Sequence, residues 1–452
     1  MNWINELKKR LPEGQVTDNP TVLEHHSKDE SYHTPRLPDV VVFPRCREDV
    51  VEVVRFAGER EIPVVPFGIG SSLEGHVIPE RGGISIDFQE MNQVLEVRPE
   101  DFLVRVQPGV TRTQLNKELK KYGLFFPVDP GADATLGGMA ATNASGTTSV
   151  RYGVTRDQVR DLEVVLADGR VIHTGGASAK SSSGYHLTGL FVGSEGTLGI
   201  FTELTLRVYG IPEGILAARA TFPSVHNAVQ TAVSVLSAGI PVARMELVDA
   251  RSIRQLNQFS QTDYPEAPTL FFEFHGNPEG LQKDAAFTRE LAEAEGSRGF
   301  LFETDSKARA TLWEARHNLA YAFIHGTPGK KQMATDVCVP LSRLAESVEN
   351  ARRLIDDSSL DGGIVGHIGD GNFHALLMLD PSNPQEVAEA DRIHANLVEH
   401  ALNCGGTCTG EHGVGIGKKK YQAREHGPAY EVMKEIKQLL DPKGILNPGK
   451  IV

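Results

Sequence analysis

The stretch Pro66-Phe-Gly-Ile-Gly-Ser-Ser-Leu-Glu-Gly75 decides how the fold is read. It follows a short apolar run at 62–65, and its successive backbone N–H groups can form a nest for an anion such as a pyrophosphate. It is not a Rossmann fingerprint. Gly68 and Gly70 match the first two glycines, but Leu73 takes the third position and no N-terminal βαβ unit with a suitable acidic residue frames it. A plain tight turn would use the same residues, so this stretch alone leaves both readings open.

Upstream, residues 38–43 are short and β-branched, 49–60 carry helical periodicity, and 62–65 are apolar again. That is a strand, helix, strand opening. Downstream, to about residue 208, the chain is rich in Gly, Ala, Ser and Thr, with strands expected at 162–166 and 202–208. Two more glycine-rich segments stand here: Val128-Asp-Pro-Gly-Ala-Asp-Ala-Thr-Leu-Gly-Gly-Met-Ala-Ala-Thr-Asn-Ala-Ser-Gly146 and Gly189-Leu-Phe-Val-Gly-Ser-Glu-Gly-Thr-Leu-Gly-Ile200. Backbone this free of side chains can approach a ligand closely, and a large cofactor explains it economically.

After Tyr209-Gly-Ile-Pro212 the texture changes to longer alternating elements. Strands are expected at 217–222, 243–248 and 269–274, and helices at 224–238, 281–294 and 341–355, which suggests an antiparallel sheet covered by helices. Residues 429–440 form an amphipathic helix stopped by Asp441-Pro-Lys-Gly444. The expected class is α+β, divided into an N-terminal helical segment (1–35), a ligand-binding domain (36–210), a substrate cap (211–420) and a C-terminal segment (421–452).

Lys plus Arg is 46 against 59 Asp plus Glu, a net charge of -13 that disfavours a nucleic-acid partner. Charges at Glu6, Lys8, Lys9 and Arg10 replace the apolar core of a signal peptide, and no apolar run approaches a transmembrane length. The expectation is a cytoplasmic protein without a transmembrane segment, with peripheral membrane contact left open. Cys46, Cys338, Cys404 and Cys408 are too few for a disulfide framework. Cys404 and Cys408, with no second pair, are a weak zinc signal and are expected to be inert. Gly444-Ile-Leu-Asn-Pro-Gly-Lys450 imitates a P-loop, but Ile451 cannot ligate magnesium, so ATP binding is not expected.

Chemistry concentrates in Gly366-His-Ile-Gly-Asp-Gly-Asn-Phe-His374. Asp370-Gly371 is a two-residue hairpin signal, and counting outward pairs Ile368 with Phe373 and His367 with His374. The two imidazoles would then share one face at cross-strand distance, able to reach one metal ion. Two structural histidines would fit the same hairpin. Gly410-Glu-His-Gly413 offers Glu411 as a third ligand and leaves His412 over; two nitrogens and one oxygen suit Zn²⁺, Mn²⁺ or Fe²⁺.

The order and spacing of the three glycine-rich segments resemble the FAD-binding domain of the vanillyl-alcohol oxidase and p-cresol methylhydroxylase superfamily. That resemblance implies noncovalent FAD, because no His or Cys stands within the first loop. It also implies contacts from Gly68, Ile69, Gly70, Ser71 and Ser72, from Pro130, Thr135, Gly138, Thr142, Ser145 and Gly146, from Glu195, Gly199 and Ile200, and from Asn447. The histidine hairpin, the Glu411 segment, Leu312-Trp-Glu-Ala-Arg-His-Asn318 and Thr335-Asp-Val-Cys-Val-Pro340 narrow it to the metal-containing D-2-hydroxy-acid dehydrogenases. It is similar there to the cytochrome-linked D-lactate dehydrogenases and glycolate oxidase flavin subunits.

In those families the two histidines and the glutamate hold the metal, the next histidine is the base, and hydride passes to flavin N5. The implied reaction is oxidation of a short D-2-hydroxy acid, with Arg316 as the candidate for the substrate carboxylate, which a guanidinium matches two-pronged, against the alternative of a surface helix arginine. D-lactate ranks first, then glycolate, then D-2-hydroxyglutarate, since Gln332-Met-Ala-Thr335 lacks the lysine that holds a second carboxylate, with Lys330 and Lys331 nearby. The electron acceptor is left as quinone, cytochrome, electron-transfer flavoprotein or iron–sulfur partner subunit. A non-haem iron oxygenase without flavin, or an accessory subunit of a larger complex, are the competing readings.

Overall fold

Residues 2–452 are described by a computed structural model. The chain forms two compact units. One comprises Met1–Ser145, Gly153–Ile211 and Glu411–Val452, and the other Gly146–Tyr152 with Pro212–Gly410. The sequence reading ended the cap at 420. The segment after Gly410 joins the first unit because Glu195 accepts the N–H groups of Val414 (2.7 Å) and Gly415 (2.9 Å), and buried Lys418 pairs with Glu74 at 3.2 Å.

The first unit holds two main sheets. In one, Val40–Val42, Ile84–Asp87 and Val64–Phe67 run parallel, with Val16–Thr17 antiparallel at the edge. Val40–Val42 and Ile84–Asp87 are buried throughout, as parallel strands covered on both faces must be. The helix Arg47–Arg60 turns Val50, Val53, Val54, Phe56 and Ala57 inward at helical spacing, and Ile445 and Leu446 join this core from the chain's last turn. The other sheet is antiparallel, in the order Val94–Arg98, Leu103–Val106, Ile200–Arg207, Val159–Val165, Val171–His173.

The second unit is built on an eight-stranded antiparallel sheet. Its central strands run Gly214–Thr221, Thr269–Gly276, Val242–Val248, Asp361–His367, Asn372–Leu379. All eight residues of Asn372–Leu379 are buried, so both faces are covered. Side chains alternate along a strand, and Val248, Val365, Leu376 and Met378 pack on one face with Leu312, Trp313, Leu319 and Phe323 from the helices Ser306–His317 and Leu319–Gly326. The same parity puts Glu246, His367 and His374 on that face.

The α+β class and the helix-covered antiparallel sheet agree with the sequence reading. The hairpin register does not. The strands end at His367 and resume at Asn372, which pair with each other, while His374 pairs with Val365. The turn is therefore a four-residue loop, not a two-residue one. Gly371 (φ +85°) abuts the Val339 carbonyl oxygen, where no side chain fits, and Val339 N–H donates to Gly371 O at 3.0 Å. The slip is by two residues, an even number, so the histidines keep a common face.

Candidate active site

Within the first unit the three glycine-rich segments and the chain's end converge. The first loop leaves the strand Val64–Phe67; a Cβ on Gly68 would lie 2.5 Å from Thr135 Oγ1, so the first and second segments touch there. Thr135 caps the helix Leu136–Thr142 by accepting from Gly138 N–H at 3.3 Å. Gly196 of the third segment packs against Pro66. Asn447 N–H donates to Val64 O (2.8 Å), and its Nδ2 donates to His76 O (3.0 Å) and Glu195 O (2.7 Å).

Glu195 sits in the left-handed region (φ +53°) and is 4% exposed. Burial alone would raise its pKa, but His76 at 3.3 Å and the Val414 and Gly415 N–H groups outweigh this and lower it. Burial opposes charge on His76 in turn, and Glu195 raises its pKa in spite of that. The pair thus fixes the backbone immediately after Glu411 and His412. Ser145 Oγ donates to Glu411 Oε2 at 2.7 Å.

Within the second unit, Glu246 lies directly across from His367 on the neighbouring strand. His367 Nδ1 is 2.6 Å from Glu246 Oε1, and Arg316 Nη2 donates to Glu246 Oε2 at 2.5 Å. Glu246 has no solvent exposure; burial pushes its pKa up, and His367 and Arg316 more than reverse that. His374 Nδ1 is 3.0 Å from the Thr335 carbonyl oxygen, a partner that can only accept. The ring centroids of His367 and His374 lie 5.6 Å apart. With a carboxylate and a carbonyl each facing an Nδ1, the neutral rings would carry Nδ1–H and keep the lone pair on Nε2, the tautomer that metal-ligating histidines adopt. Fully buried Asp336 accepts from Asn372 Nδ2 (2.7 Å), Thr409 Oγ1 (2.7 Å) and Gly410 N–H (2.8 Å), tying the hairpin to the segment that leads to Glu411.

Residues 38–175 match the family described as FAD binding domain, and residues 211–451 match FAD linked oxidases, C-terminal domain. The chain belongs to the FAD-linked oxidases. Among its relatives, "Probable D-lactate dehydrogenase, mitochondrial" of Danio rerio is 47% identical, covering 97% of this chain and 89% of that one. "D-lactate dehydrogenase (cytochrome), mitochondrial" of Arabidopsis thaliana is 43% identical over 99% and 80%. "Glycolate oxidase subunit GlcD" of Bacillus subtilis is 34% identical over 94% and 91%. The solved structure of p-cresol methylhydroxylase with substrate bound superposes with a TM-score of 0.81 at 19% identity, covering 100% of this chain and 96% of that one, and shares the fold. The flavin-free oxygenase reading lapses.

In this FAD-linked oxidase the residues of the first unit fit a flavin nucleotide. Asn447, 2% exposed and held at φ +38°, has its Oδ1 buried without a hydrogen-bond partner among the described residues, an acceptor that a bound ligand would satisfy. Ser72 Oγ donates to Asp29 at 3.1 Å, and Ile69 is 45% exposed. Thr142 Oγ1 donates to Gly138 O at 3.2 Å. Gly68, Gly70, Ser71, Pro130, Thr135, Ser145 and Gly199 all lie in this unit, whereas Gly146 begins the short segment of the second. Ile200 points into the core, so only its backbone is available, and the Glu195 carboxylate is spent on His76 and the 414–415 backbone. Arg316 is not a surface arginine: it is mostly buried on Glu246, with Nε buried and without a hydrogen-bond partner among the described residues. Glu246 went unnoticed in the sequence because it stands 121 residues from His367. Among the described residues, no helix is long and apolar enough to cross a membrane and no disulfide joins the cysteines.

Proposed function

We propose that this FAD-linked oxidase dehydrogenates short D-2-hydroxy acids, with D-lactate to pyruvate as its first reaction, glycolate second and D-2-hydroxyglutarate third. The observation that carries the reading is the histidine pair on one sheet face, each with Nδ1 engaged by an oxygen acceptor. The printed names of the Danio rerio and Arabidopsis thaliana relatives support D-lactate, and that of the Bacillus subtilis relative supports glycolate. When bound, FAD supplies a hydride acceptor at N5 and a divalent ion (Zn²⁺, Mn²⁺ or Fe²⁺) supplies Lewis acidity to the substrate hydroxyl.

His367 and His374 would hold that ion, and Glu411, from the sequence reading, would be its third ligand. His412, as neutral imidazole, takes the hydroxyl proton. Arg316 keeps Nη2 on Glu246 and offers Nε to the substrate carboxylate. A monocarboxylate is favoured because Lys330 is drawn to Glu386 at 3.1 Å and Lys331 is exposed. A cytochrome heads the acceptor classes, after the name of the Arabidopsis thaliana relative, ahead of a quinone, an electron-transfer flavoprotein or an iron–sulfur subunit. Cytoplasmic residence rests on the sparse cysteines, while the Danio rerio and Arabidopsis thaliana relatives are both named mitochondrial.

Anaerobic mixing of the holoprotein with D- and L-2-hydroxy acids tests the proposal. D-lactate is expected to bleach the flavin band and L-lactate to leave it. No bleaching by any D-2-hydroxy acid, or faster bleaching by the L series, overturns it.

A further inference from the structure

The helix Pro384–Asn403 ends at its C-cap, Cys404, and carries His400 in its last turn. A spacing of four puts both side chains on one face of that helix. The neighbouring helix Leu341–Asp356 brings Glu346 to the same spot, and one ligand atom from each of the three residues lies within 4.8 Å of the others. Cys404 Sγ is 3.5 Å from His400 Nε2 and 3.5 Å from Glu346 Oε1, and Nε2 is 4.0 Å from Oε1. With metal–sulfur bonds of about 2.3 Å and metal–nitrogen or metal–oxygen bonds of about 2.0–2.1 Å, a tetrahedral ion needs edges of about 3.6 Å to sulfur and about 3.4 Å between nitrogen and oxygen. Two edges already match. The third closes by a small swing of Glu346, whose side chain is 47% exposed.

The spot attracts positive charge as it stands. Arg343 Nη2 lies 2.5 Å from Glu346 Oε1 and 3.8 Å from Cys404 Sγ. Its side chain is 49% exposed, and an exposed ion pair of this kind is weak enough to yield to an ion. Ser347 Oγ is 3.1 Å from His400 Nε2 but also donates to Arg343 O at 2.8 Å, so it keeps a partner when Nε2 turns to a metal. None of these residues belongs to the histidine hairpin or the flavin-binding segments.

We propose that Glu346, His400 and Cys404 form a second, solvent-facing divalent-metal site of the zinc class, with water in the fourth position. Binding releases the Cys404 thiol proton to solvent, leaving a thiolate ligand. Sulfur sets this site apart from the hairpin, whose proposed ligands are nitrogen and oxygen, and its test does not read catalysis.

The test is the rate of Cys404 alkylation by a maleimide in the holoprotein, followed by peptide mass spectrometry with and without Zn²⁺. At zinc ten times above its dissociation constant the reaction should slow about tenfold, while Cys46 and Cys338 in the same molecule keep their rates. His400→Ala and Glu346→Gln should each remove the protection, and Co²⁺ should give a near-ultraviolet sulfur-to-metal band in the wild type that Cys404→Ser lacks. A Cys404 rate indifferent to millimolar zinc overturns the proposal, as does protection that persists undiminished in both variants.

Discussion

Glu246→Gln keeps the shape of the side chain and removes its charge, which makes it the sharpest probe of the histidine pair. In the wild type Oε1 faces His367 Nδ1 at 2.6 Å and Oε2 accepts from Arg316 Nη2 at 2.5 Å. Glutamine has one acceptor and one donor to place between them. If its carbonyl takes Arg316, its amide faces His367 Nδ1, which can accept only when the ring proton moves to Nε2, the atom a metal needs. If its carbonyl takes His367, its amide meets the Arg316 N–H groups, and a guanidinium whose side chain is 12% exposed loses its counter-charge. The first arrangement should weaken metal binding about 10–100-fold, or about 1.4–2.7 kcal/mol. The second should cost about 3–5 kcal/mol of stability, the range for breaking a buried pair. Competition with a metal-sensitive chelator reads the first, and urea unfolding the second. A variant with wild-type Mn²⁺ or Zn²⁺ affinity and a wild-type urea midpoint would refute the reasoning on both branches. The acid limb adds a check. A carboxyl lowered on folding contributes stability that is complete above its ordinary 4.5 and fades as pH falls through the folded value, so Glu246→Gln should flatten that fall.

His412→Ala, with FAD and metal still bound, should lower the rate of flavin bleaching by D-lactate about 10²–10⁴-fold, as loss of a general base does; a normal rate removes His412 from that role. Gly68→Ala places a methyl 2.5 Å from Thr135 Oγ1 and should cost about 1–3 kcal/mol of stability and weaken FAD retention, both read by thermal unfolding with and without added FAD. Lys450 is buried, with its pKa lowered to about 8 by desolvation against 10.5 for an ordinary lysine. The unfolded chain therefore binds more protons between those values, and wild-type stability should climb with pH by roughly 3 kcal/mol across that window. Lys450→Met should remove the climb, at the cost of the Nζ–H bond to Ile78 O; an unchanged pH slope in urea unfolding tells against a desolvated lysine.

Much of the architecture was legible because it is local. The strand, helix, strand opening, the helix ending at Leu440 and the antiparallel strands after residue 211 follow from periodicities of two and 3.6. The histidines were legible as a same-face pair because parity survives an even slip, although Asp370-Gly371 misled on the turn: Gly371 is shaped by the Val339 carbonyl, just past the strand Val337–Cys338. Pairings across long separations were not legible. Glu246 meets His367 only because Val242–Val248 happens to be the neighbouring strand, and Arg316 meets Glu246 only because its helix covers that face. The same holds for the Glu195 carboxylate, whose backbone partners stand 219 and 220 residues away.

Both compact units are assembled from separated pieces of chain, and this sets a timetable for the protein's birth. The first unit needs Ile445 and Leu446 in its core and Asn447 against Val64, yet residues 212–410 are synthesised in between. At about 5–20 residues per second a ribosome takes roughly 10–50 s to cover that interval and the segment beyond it. For that time the strands around Val64 lack their last partner while the intervening unit can already close. Completion of the first unit, and with it of the fold that the flavin-binding segments share, is thereby placed after translation has passed residue 447.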